Sequence, residues 1–103
     1  MRVPTLCLSI ALALFATMHA TYAQDVENGQ RLSERWCTEC HMIGTELPKH
    51  NRAPPFAVIA NKETINAEMI ASFLLLPHAT MPNLPLSHKD AEDIAAFVIG
   101  MKK

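Results

Sequence analysis

Cys37-Thr38-Glu39-Cys40-His41 is the stretch that most limits what this chain can fold into. Two thiols three residues apart, with a histidine directly after the second, form the C-x-x-C-H attachment signature of a c-type haem. Residues three and four apart share one face of a helical turn, so Cys37, Cys40 and His41 can all address the same planar ligand. The thiols can add to the haem vinyl groups as thioethers while the imidazole reaches iron from one side. A haem held this way still lacks its sixth ligand. Whether the chain supplies one separates an electron carrier from a protein that binds or activates a small molecule at iron.

The first residues must be set aside before any fold argument. Met1-Arg2 is a short positive start, Leu6 to Phe15 is nearly all apolar, and Thr21-Tyr22-Ala23 offers small residues at two of the positions a signal peptidase reads. This pattern is a secretory signal peptide over residues 1–23, too short in its apolar run to span a bilayer securely; an uncleaved anchor is the alternative. Cys7 leaves with the leader, so Cys37 and Cys40 are the cysteines of residues 24–103, one small domain. A chain of that size buries a limited core and usually needs a staple, which here is the haem. In an exported domain the two thiols can instead pair as a disulfide, but the histidine directly after Cys40 favours haem. No βαβ pattern surrounds them, which argues against a thioredoxin-like redox pair.

Charge narrows the partners. Ten Asp and Glu stand against nine Lys and Arg, and Arg2 belongs to the leader. No basic run exceeds Lys102-Lys103, so nucleic acid is not an expected partner. No later apolar stretch is long enough to cross a membrane, and the expectation is a soluble, exported, periplasmic protein.

The periodicity predicts an all-α chain with three main helices, long loops and no internal repeat. Asp25 caps the first, which runs to about Cys37 and contains Gly29, a residue that weakens a helix unless another element must approach closely. Trp36 beside Cys37 reads as a wall of the haem pocket. From Met42 to Ile59 the pattern dissolves among Gly44, Pro48, Asn51, Pro54 and Pro55, as in a loop wrapped over a ligand, with a short helix begun by proline near Phe56. Asn66 caps a helix over about Ala67 to Leu76, with Met69, Ile70, Phe73 and Leu74 as its apolar face, and Pro77 stops it. Ser87 and Asp90 approximate a capping box for the last helix, Lys89 to about Met101. Its acids Asp90, Glu92 and Asp93 fall near the start, and Lys102 and Lys103 near the end, as the helix dipole favours.

Met81 stands with Pro82 and Asn83 in a proline-bounded loop where a packing role is less natural. Its thioether is a soft, neutral ligand that favours ferrous iron and raises the reduction potential. His78 in the same loop is the competing ligand and would give a bis-histidine haem. Met42 adjoins His41, Met69 and Met101 lie on apolar helical faces, and His50 and His88 read as surface residues. Arg52 is the best bidentate candidate for a haem propionate, with Lys49, His50 and Asn51 in the same loop; a solvated polar loop is the plain alternative.

Together these residues resemble the small class I c-type cytochromes. The likeness rests on Gly29-Gln30-Arg31-Leu32, on the pentapeptide, on Ala53-Pro54-Pro55-Phe56, on Met81-Pro82-Asn83 and on a last helix bearing Phe97. It implies a monohaem fold whose first and last helices cross at Gly29, with Leu32 and Phe97 packed there. Pro54 matches the proline whose carbonyl accepts the bond from the proximal imidazole and orients His41. Ala53 stands where many relatives have glycine. Met81 matches the distal axial ligand, which makes His41 and Met81 the metal ligands and Cys37 and Cys40 the covalent anchors of one haem c. The implied function is one-electron transfer, without enzymatic turnover, with redox proteins such as a dehydrogenase, oxidase or reductase as partners; a haem subunit of a larger dehydrogenase is the near alternative. A gas-binding or peroxidatic protein is the more distant one. The expected site is a flat apolar cleft between Cys37, Cys40, His41 and Met81, walled by Trp36, Phe56, Phe73 and Leu74.

Overall fold

A computed structural model of the protein describes residues 23–50, 52–76 and 81–103. Most of the expected signal segment, residues 1–22, together with Asn51, Pro77 and His78, lies outside the described residues. Among those described, the chain is helical with no strand: α1 Val26–Trp36, α2 Phe56–Ala60, α3 Ala67–Leu75 and α4 His88–Ile99.

Each longer helix starts where a side-chain oxygen meets an orphan backbone donor. Asp25 Oδ1 accepts from the Asn28 N–H at 2.9 Å and Asn66 Oδ1 from the Met69 N–H at 2.8 Å. Ser87 and Asp90 complete a reciprocal capping box, Asp90 N to Ser87 Oγ at 3.1 Å and Ser87 N to Asp90 Oδ2 at 3.0 Å, so aspartate performs the role usual for glutamate. Proline opens the short α2: Pro55 is its N-cap, with φ already at −55°.

Helix α4 is the spine. Its buried face, Ala91, Ile94, Ala95 and Val98, follows helical spacing, and α1, α2 and α3 all pack on it. At the crossing with α1 the buried Gly29 backbone lies against the backbone of Asp93 and Ile94, and a Cβ there would collide with the Asp93 carbonyl. Close approach is therefore the reason for the glycine. Leu32 and Phe97 are partly buried against the same core. Ser33, fully buried beneath them, returns its hydroxyl to the Gly29 carbonyl at 2.7 Å.

The charges of α4 depart from expectation. Because the helix begins at His88, Asp90 is the acid in its first turn, and Asp93 lies a turn further on with a fully buried carboxylate. The Asp25 N–H donates to Asp93 Oδ1 and the Asn28 amide to Oδ2, each at 2.8 Å, while Lys89 Nζ reaches both oxygens at 3.0 Å. Asp93 thus staples the start of α1 to α4 instead of serving the helix dipole. Lys102 and Lys103 fall beyond Ile99, outside the last turn.

Candidate metal centre

The pentapeptide continues the C-terminal end of α1 as one further turn. The Cys37 N–H bonds to the Ser33 carbonyl at 2.8 Å, and the Cys37 carbonyl accepts from the His41 N–H at 2.8 Å and the Cys40 N–H at 3.2 Å. The loop that follows is clamped back onto this turn. The Phe56 N–H donates to the Met42 carbonyl at 3.0 Å and the His50 N–H to the Glu39 carbonyl at 3.0 Å.

These clamps bring the Pro54 carbonyl to 2.7 Å from His41 Nδ1. A carbonyl can only accept, so Nδ1 carries the proton and Nε2 keeps its lone pair for a metal. The ring is steadied further by Phe56, whose centroid is 5.2 Å away, and Phe56 in turn meets Phe97 of α4 edge-on at 6.3 Å. The imidazole is in this way referred back to the spine of the fold.

A cleft of about 390 Å³ adjoins it. Cys37, His41 and Pro54 contribute from one stretch of chain, Met81 from the segment before α4, and Phe56, Ile59, Ile65, Ile70, Phe73 and Leu74 from α2, α3 and their connection. Met69 and Phe73 on α3 line it with 48% and 52% of their surface exposed, a face that a flat apolar group would cover. Two thiols, an imidazole with a free Nε2 and a thioether beside such walls suit an iron porphyrin in both chemistry and shape. No cluster of three or more His, Cys, Asp or Glu side chains able by itself to hold a metal ion occurs among the described residues, so any iron here needs the porphyrin to complete its ligand set.

Two expected lining residues are not in the cleft. Trp36 is half-buried against the core and pairs with Arg35, whose guanidinium carbon lies 5.0 Å from the ring centroid; one step before Cys37 on the helix, it is turned by about 100° from the haem-facing side. Cys40 is half-buried just outside the lining. Arg52 does line the cleft, and so does Lys62, which the sequence reading passed over. Lys62 follows a short helix in a polar turn and looks like an ordinary solvated lysine until the connection to α3 curves it back to the site.

Burial is the main influence on the Cys37 thiol, followed by the neighbouring Cys40, with the polar Ser33 side chain opposing both; its pKa is pushed up to about 11. A thiol–disulfide catalyst requires the opposite, a readily ionised cysteine.

The chain is 36% identical over 94 residues to cytochrome c-552 of Bradyrhizobium diazoefficiens, an alignment covering 90% of this chain and 88% of that protein. It belongs to the small c-type cytochromes. The family is defined by one covalently bound haem c, and the helical architecture built on α1 and α4 is its fold. No protein-family model matches the cytochrome, and no solved structure does. None of its helices, among the described residues, is long and apolar enough to cross a membrane.

Proposed function

We propose that this cytochrome is an exported one-electron carrier whose haem iron is held by His41 and Met81. Cys37 and Cys40 are its thioether anchors, and residues 1–23 are a signal peptide removed on the way to the periplasm. The observation that carries the reading is the 2.7 Å contact between His41 Nδ1 and the Pro54 carbonyl at a cleft that also receives Met81.

The bound haem supplies a one-electron iron couple. The side chains fix what that couple can be used for. Pro54 holds the imidazole in the tautomer that offers Nε2, and the hydrogen bond increases its basicity as a ligand. Met81 contributes a neutral thioether, which favours the reduced metal and raises the potential relative to a second imidazole. Were His41 and Met81 both to hold the iron, no position would be left on it for a substrate, and electron exchange would need little movement of the protein. The apolar walls from α2 and α3 exclude water and so add to the preference for the less charged, reduced state. The partners on this reading are redox proteins that approach near Cys37 and Cys40, where Thr38 and Glu39 are exposed.

Carbon monoxide tests the closed coordination sphere. The reduced protein at neutral pH is expected not to bind it on mixing. Prompt and complete binding would establish an open iron position and replace the carrier with a ligand-binding function.

A further inference from the structure

A second cleft, also of about 390 Å³, lies between α3 and α4 and shares no described lining residue with the candidate metal centre. The buried Ala71 and Ala95 form part of its wall. Glu68 of α3 and His88 and Glu92 of α4 line it, and Gln24 reaches it from the stretch before α1. Both glutamates are exposed, and neither takes part in an ion pair among the described residues, where the pairs are Arg31 with Glu27, His50 with Glu39 and Lys89 with Asp93. No Lys or Arg stands among the described lining residues. Lys89 lies in the field of Glu92 and of Asp25, but its ammonium is spent on both oxygens of Asp93, at 3.0 Å each.

Gln24 is kept at this cleft by its neighbour. The Asp25 N–H donates to the buried Asp93 Oδ1 at 2.8 Å, and the Gln24 nitrogen lies one residue, ~3.8 Å of chain, before that anchor. Hydrolysis of the Ala23–Gln24 bond gives a carboxylate to Ala23 and leaves the Gln24 nitrogen, until then an uncharged amide, as an amine that takes up a proton. We infer that the cleft between α3 and α4 is the seat of this new α-ammonium group, held between Glu68 and Glu92, so that removal of the leader adds a charged tie from the start of α1 to α3. This rests on the signal-peptide reading above and not on the haem ligands. Asp93 already staples α1 to α4; the ammonium brings in α3, whose other side carries Met69, Ile70 and Phe73 to the metal centre. Two carboxylates beside an amine favour its protonated form, while Lys89 opposes them from α4.

The test is the rate at which acetic anhydride acylates the Gln24 amine of the exported, haem-bearing protein, followed by mass spectrometry of the N-terminal peptide from about pH 7 to about pH 10. Only the unprotonated amine reacts. In the Glu68→Gln, Glu92→Gln double variant the rate near pH 8 is expected to rise about threefold, as the pH profile moves down by about half a unit. Glu63→Gln, which removes an exposed acid outside the cleft, should leave the profile unchanged. A double-variant profile that superimposes on wild type overturns the seat alone, as does an equal shift in Glu63→Gln. So does a mature chain whose Gln24 has cyclised, lighter by one ammonia and with no amine to hold. A mature chain that begins at another residue overturns the cleavage reading and the seat together.

Discussion

Asp93 carries a charge where water cannot reach it, beneath a thin cover close to the surface. Burial is the largest single influence on its carboxyl and acts upward. The Asn28 amide, the Asp25 N–H and the Lys89 ammonium together outweigh it, and the pKa lies below the ordinary aspartate value. In the unfolded chain the group titrates at about 3.9, so near that pH the unfolded state binds more protons than the native one. The stability drawn from this site is full above about pH 4 and drains away as pH falls through the lower native value. Asp93→Asn, which removes the charge from these hydrogen bonds, should cost about 2 kcal/mol in urea unfolding at neutral pH. Its deficit relative to wild type should narrow below about pH 4. A deficit that stays constant into acid would show that the carboxylate charge is not what matters there.

Helix boundaries were largely legible because caps are local. Asp25, Asn66 and the Ser87 and Asp90 pair each act within one turn, and α1, α3 and α4 begin beside them. The crossing of α1 on α4 was legible in one residue, Gly29, because a glycine at that cost inside a helix needs a close neighbour. The neighbour's identity was not, since the Asp93 backbone lies far away in sequence. Gly29→Ala is expected to destabilise the haem-bearing protein by about 3 kcal/mol, read from thermal or urea unfolding, because backbone rather than a pliable side chain blocks the added methyl. Unchanged stability would mean that the two helices can separate at no cost. Asp93 itself was misread for the same reason as its backbone contact: the sequence places it beside Asp90 and Glu92, and only the arrival of α1 distinguishes it from them.

At the scale of the whole molecule, a short turn at the end of α1, a clamped loop, two small helices and the segment before α4 converge on one cleft. The residues proposed to bear its chemistry stood out in the sequence because C-x-x-C-H is a haem-attachment spacing and Met81 lies beside Pro82 in a segment with no helical period. Its walls were readable in part: Phe56, Phe73 and Leu74 line the cleft, whereas Trp36 does not, since rotation of a helix by one residue decides which side a ring takes. Lys62 was hidden because a lysine in a polar turn has no periodic signature. The central claim is that His41 and Met81 close the iron's coordination, and the visible spectrum of the oxidised protein tests it most directly. A weak sulfur-to-iron band near the red edge of the visible is expected, and it should be lost in Met81→Ala while the covalent haem is retained. A spectrum without that band, or one in which Met81→Ala leaves it in place, would rule out Met81 as the iron's second protein ligand.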